Sequence, residues 1–271
     1  MARRIILNTG NLLELDDIIK RGANTTAEEL ISLVKYHIAS WQNSEIRTEY
    51  DDFMCVISLK DEKSLYNDPS GFQNILSMPG SEGKTKIISM ETGFKVYKAL
   101  FITKDASSFV IEKKSRVRSD LSLKCIDSVI LVPPDVSDYV DVDMVAPAWK
   151  ALEEAVNEGQ ILSIGIADVG AKLLENLYNW AQVKPSSVQV NVSSCCVVPK
   201  ELSAFAEQND VQVLTHNDPP EIIDEEVVST ISSRLGVTDP KVDWIVRHRI
   251  IQQCFALVHS KGWTVALSCS P

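Results

Sequence analysis

ILSIGIADVGAKLLENLYNWAQVKPSSVQVNVSSCCVVPKELSAFAEQNDVQVLTH, residues 161–216, alternates short apolar runs with stretches of helical periodicity. The runs at 161–166, 188–192 and 211–215 are rich in β-branched residues and apolar on both faces, as strands covered from both sides are. Between the first two, Leu173, Leu174, Leu177 and Ala181 recur three and four apart, forming the inner stripe of a helix that Asp168 is placed to cap. Pro185 interrupts the chain before the next strand. Pro199 then opens a helix with Leu202, Phe205 and Ala206 facing inward. A strand followed each time by a helix is the pattern of parallel βα units.

The rhythm extends upstream. Residues 126–132 (IDSVILV) predict a strand, and 147–157 a helix with Pro147 at its first position and Gly159 at its end. Trp149, Leu152 and Val156 make its apolar face. Residues 5–8, 53–59, 100–103 and 249–253 predict four further strands. Thr25 or Thr26 with Glu28 or Glu29 forms a capping box for a helix reaching Trp41, striped by Leu30, Val34, Ile38 and Trp41. Eight strands with helices between them predict an α/β fold, a closed (β/α)8 TIM barrel, as a single domain over 1–271. Two stretches leave the pattern. Residues 61–86 hold the turn-rich runs NDPSG and PGSEG with little periodicity, and predict a flexible insertion. Residues 255–258 and 263–267 flank Lys261-Gly262 and predict a β-hairpin turning there.

Composition narrows the function. With 27 basic and 37 acidic residues the net charge is −10, which disfavours nucleic acid and anionic membrane as partners. Only Ile5-Ile6-Leu7 follow Arg3-Arg4 as an apolar run, so neither a signal segment nor a membrane span is expected, and the chain is expected to be cytoplasmic. The six cysteines show no C-x-x-C spacing and predict reduced thiols rather than a disulfide framework.

No assembled active site is legible. The Gly-rich phosphate cradles are missing; Gly80-x-x-Gly83-Lys84-Thr85 lacks the spacing and a preceding strand, and reads as a loop. His37, His216, His248 and His259 are scattered without metal-ligand spacing, and His37 reads as a structural histidine. His216 ends a barrel strand, where active sites of this architecture gather, and Asn217 and Asp218 follow it. This is a binding or acid–base group, or a turn and cap cluster. Cys195-Cys196 stand shortly before the Pro199 helix and near Lys200, a setting that either activates a thiol or holds two small buried residues. The acidic runs Asp141-Val142-Asp143 and Asp224-Glu225-Glu226 read as helix starts.

The run Ile164-Gly165-Ile166-Ala167-Asp168, with Leu173-Leu174 and Val188-Gln189-Val190-Asn191, resembles the aldo-keto reductases. That resemblance implies a (β/α)8 barrel derived from an NADPH-dependent reductase, and it allows a test. Val132 stands where the family's catalytic histidine would be, Asp105 where its lysine would be with Lys104 one residue away, and no Asp and Tyr pair follows 53–59. At the cofactor positions Ala167-Asp168 replace a Ser-Asn pair, Gln189 is kept, and Gln252-Gln253-Cys254 replace the phosphate-gripping run. A chain without the proton donor or that grip is not expected to transfer hydride.

A wider likeness runs through Thr9-Gly10-Asn11-Leu12-Leu13, the segment 179–185 (NWAQVKP), Ser194-Cys195-Cys196-Val197 and Leu214-Thr215-His216-Asn217-Asp218-Pro219. These resemble the regulatory (modifier) subunits of glutamate–cysteine ligase. The resemblance implies a non-catalytic protein without cofactor or metal, forming a heterodimer with the ligase's catalytic subunit in glutathione biosynthesis. It also implies tighter glutamate binding and weaker feedback inhibition by glutathione. An NADPH-dependent reductase with a displaced tetrad is the alternative, and a redox scaffold working through Cys195-Cys196 a third. Cys195, Cys196, His216, Asn217 and Asp218 are the candidate partner or redox residues.

Overall fold

The computed structural model describes residues 3–9, 12–14, 26–40, 46–51, 54–59, 91–97, 126–133, 141–192, 197–218, 223, 225–235, 237–252 and 257–270. The strands are β1 (Arg3–Asn8), β2 (Ile46–Asp51), β3 (Met54–Leu59), β4 (Glu91–Tyr97), β5 (Ile126–Leu131), β6 (Ile161–Ala167), β7 (Ser187–Asn191), β8 (Gln212–His216), β9 (Thr238–Gln252) and β10 (Leu257–Ser270). The helices are α1 (Thr26–Ser40), α2 (Val142–Asn157), α3 (Ala171–Trp180), α4 (Lys200–Gln208) and α5 (Glu225–Leu235). All ten strands join one sheet in the order β2-β3-β1-β10-β9-β4-β5-β6-β7-β8. From β4 to β8 each strand pairs in parallel with the next, as the βα rhythm predicts. Among the described residues β2 and β8, at the ends of that order, are not paired to each other.

The C-terminal part departs from the expected layout. β9 and β10 form one long antiparallel hairpin whose strands close toward Gln252 and Leu257, so the turn is not at Lys261-Gly262. Gly262 lies inside β10 opposite His248. A glycine inside a strand costs roughly 0.5–1 kcal/mol, which is small beside the ladder that β10 forms with β9 and β1 on its two sides. β9 begins at Thr238, well before the predicted 249–253, because charged residues interleaved through 241–249 hide its length. β2 and β4 were not anticipated, and the predicted strand at 100–103 and the insertion at 61–86 lie outside the described residues.

Helix α2 starts five residues before the predicted position. The Asp141 carboxylate accepts the Val142 N–H at 2.6 Å, and Asp143 adds a second acid to the first turn. Pro147 therefore sits within the helix rather than at its start; the stronger N-terminal signal wins. At the other end the Gly159 N–H donates to Val156 O and the Gln160 N–H to Ala155 O, both at 2.9 Å. Gly159 takes φ +69, the left-handed conformation that this double closure requires.

Two apolar clusters flank the hairpin. In one, Trp149, Leu152, Ile164, Ile166, Leu174 and Leu177 pack together, with Val246 and Ala266 reaching them from β9 and β10. In the other, Leu7, Leu30, Leu33, Val227, Ile231 and Trp263 pack with Ile245, Val265 and Leu267. The alternation 245/246 and 265/266/267 follows from strand geometry, which sends successive side chains to opposite faces.

Candidate functional site

The C-terminal ends of the parallel strands carry a polar cluster. His216 is the last residue of β8, Asp168 follows β6, Asp218 lies two residues beyond His216, and Arg247 comes from β9. His216 Nε2 lies 2.6 Å from Asp168 Oδ1, and His216 Nδ1 lies 2.8 Å from Asp218 Oδ2. Arg247 donates to Asp218 Oδ1 at 3.1 Å, and its guanidinium stands 5.4 Å above the Trp263 ring on β10. From β7, Asn191 donates its amide to the Asp218 carbonyl at 2.7 Å. The His216 and Asp218 side chains are 5% and 2% exposed, Asp168 10% and Arg247 18%, so solvent screens these contacts little.

Local backbone geometry places each group. The Asp168 N–H donates to Gln189 O at 2.9 Å, ending β6 against β7, and Asp168 turns into the left-handed region at φ +58. Asp is among the few residues that tolerate this conformation, and the turn carries its carboxylate to His216 rather than to the helix. Asp168 is therefore not the cap of α3. Gly170 holds that position, with no side-chain capping bond. The Val192 N–H donates to His216 O at 2.8 Å, which fixes the end of β8 against β7.

Beneath the cluster the strand ends are apolar. Ile130, Val132 and Ala167 are buried together, with Leu214 against them. Gln189 Oε1 is buried without a hydrogen-bond partner among the described residues. Among the described residues, no group of three or more His, Cys, Asp or Glu side chains has the arrangement of a metal site.

Of the residues singled out from sequence, the structure brings His216 and Asp218 together as buried partners and leaves Asn217 exposed between them. Cys195 and Cys196 lie outside the described residues, as do the side chains of His37, His248 and His259. Sequence reasoning gave Asp168 the wrong task and missed Arg247. Asp168 had a usable signal, since it ends its strand just as His216 ends another. Arg247 had none, because a basic residue within a long strand does not reveal which end of the sheet it reaches.

A second polar construction supports α3. The Glu153 carboxylate, buried in α2, accepts the Gln182 and Val183 N–H groups at 2.7 and 2.9 Å, and Trp149 Nε1 donates to Val183 O at 3.1 Å. Lys184 donates to Tyr178 O and Ala181 O at 2.6 and 2.8 Å, satisfying carbonyls at the end of α3. The run NWAQVKP is thus held through its backbone, with Lys184 closing it.

The aldo/keto reductase family model matches residues 94–217, from β4 to the residue after His216. The glutamate–cysteine ligase regulatory subunit of Homo sapiens is 32% identical over 97% of this chain and 92% of its own length. That of Bos taurus is 30% identical over the same shares. An aldose reductase from Giardia lamblia superposes with a TM-score of 0.35 at 21% identity, over 44% of this chain and 42% of its own. The likeness to the regulatory subunits spans nearly the whole of both chains, and the chain belongs to the glutamate–cysteine ligase regulatory subunit family.

Proposed function

We infer that this chain is a non-catalytic regulator of glutamate–cysteine ligase that binds the catalytic subunit as a heterodimer, tightens glutamate binding and weakens feedback inhibition by glutathione. The observation that carries the reading is the extent of the likeness, 97% of this chain against 92% of the human regulatory subunit. Regulation of this kind needs no chemistry from the regulator. It needs a surface that binds the more active conformation of the partner better than the less active one, with a coupling of about 1–3 kcal/mol. Asn217, exposed at the strand-end rim, is a candidate contact, while the buried His216 and Asp218 shape the rim behind it.

Steady-state kinetics of the catalytic subunit with and without this chain test the reading. A lower glutamate KM together with weaker glutathione inhibition is the expected result. Unchanged constants at saturating chain overturn it.

The match of residues 94–217 to the aldo/keto reductase family favours a second reading, an NADPH-dependent reductase. The residues present do not fit that cofactor and its chemistry. The Asp168 carboxylate, at the position that would hold the nicotinamide amide, faces His216 at 2.6 Å. Buried Val132 supplies no proton where the family's histidine would stand. Titration of the chain with NADPH, followed by fluorescence, separates the two readings.

A further inference from the structure

We propose that the end of α3 is a docking surface for an acidic segment of the ligase's catalytic subunit, with Trp180 as its apolar anchor and Lys150 as the cation that meets a carboxylate. The identity of the occupant rests on the regulatory reading; the place and the chemistry rest on the geometry around residues 150 and 178–184.

Trp180 is the last residue of α3 and is 40% exposed. A single exposed apolar side chain is ordinary on a protein surface and means little by itself. This one stands on a fixed frame. Glu153 of α2 accepts the Gln182 and Val183 N–H groups, Trp149 Nε1 donates to Val183 O, and Lys184 donates to the carbonyls of Tyr178 and Ala181. The backbone on both sides of Trp180 is thus ordered before any partner arrives, which lowers the entropy cost of docking. Asn179, Gln182 and Lys184 stay exposed around the indole.

The charges here say what covers the surface. Lys150, exposed on α2, sets its ammonium 5.6 Å from the centre of the Trp180 ring, and Lys184 sets its own 5.3 Å from that of Tyr178. Among the described residues neither lysine is ion-paired to a carboxylate, and the neighbouring Glu153 is spent on backbone N–H groups. No Asp or Glu occurs between Glu175 and Glu201, a span that carries Lys184 and Lys200, although the chain holds 37 acidic residues against 27 basic ones. A negative segment approaching a chain of net charge −10 therefore finds local attraction at this place. Trp is among the residues that most often carry binding energy at interfaces, and the flanking cations set orientation and approach. The surface lies just before β7 begins, at the end of the parallel strands away from Asn217, so it is a separate contact from that rim.

The test is the Kd between the purified catalytic subunit and the whole chain, unaltered or carrying Trp180→Ala or Lys150→Glu, with the urea midpoint of each variant measured beside it. Trp180→Ala should raise Kd by about tenfold or more. Lys150→Glu should raise it by a smaller factor that shrinks as salt is added. Variants that bind as the unaltered chain does overturn the proposal and leave the regulatory reading standing. An unaltered chain that does not bind the catalytic subunit removes that reading and the proposal with it. Should Trp180→Ala fail to fold, Lys150→Glu decides alone, and an unchanged Kd at low salt overturns the proposal. Self-association of the chain that Trp180→Ala abolishes, with ligase binding unchanged, would give the surface to a second copy and overturn it as well.

Discussion

A methyl group added at Gly165 would come within 2.2 Å of Ser187 Oγ and 2.7 Å of the Ser187 carbonyl oxygen. One neighbour can rotate away, but the other is backbone of the adjacent strand β7. Gly165→Ala should therefore destabilise the chain by about 1–3 kcal/mol, read as a lower urea midpoint. Glu153 makes a different demand. Its buried carboxylate satisfies two backbone N–H groups in the turn after α3. Glu153→Ala should cost roughly 1–3 kcal/mol and Glu153→Gln less, since an amide oxygen still accepts. Urea unfolding of the two variants side by side checks that order. At this scale the sequence was legible where a residue type had one use, as at Gly159 and Pro199. It misled where one residue had two: Asp168 is as good a helix cap as it is an ion-pair partner, and only the fold shows His216 beside it.

Elements tell the same story with larger pieces. The strands β5 to β8 and helices α3 and α4 were legible because apolar period and turn residues agreed there. Helix α2 was legible in kind but misplaced at its start, because Pro147 offered a plausible beginning that Asp141 overruled. The hairpin was misread for a physical reason: in an antiparallel pair the long-range ladder, invisible to local pattern, overrides the turn preference of Lys261-Gly262. This makes a prediction for α2. Trp149 is fully buried and its indole N–H holds the loop beyond α3. Trp149→Phe should lose that hydrogen bond and some volume, while Trp149→Ala should cost about 3–5 kcal/mol. Amide exchange over 181–184 should quicken in both.

For the whole molecule, the hairpin is the wall between two cores. Ile245 belongs to one and Val246 to the other, though they are neighbours in the chain. A sheet shared in this way should make the cores unfold together. Trp149 and Trp263 lie one in each, and single-tryptophan versions reporting from either should give coincident transitions in urea. Ile245→Ala should lower both midpoints together, by about 2–5 kcal/mol. A shift confined to the Trp263 signal would mean that the cores are separate folding units.

The pairing of β1 with β10 has a consequence for the making of the protein. Ile5 and Leu267, its partner in the ladder, lie 262 residues apart in the chain, so the first strand is made long before its neighbour. At about 5–20 residues per second the first strand waits on the order of tens of seconds for the neighbour that completes its place in the sheet. During that interval Leu7, destined for full burial, has no finished surface to cover it. The nascent chain is thus a natural client for holding chaperones until β10 has been made.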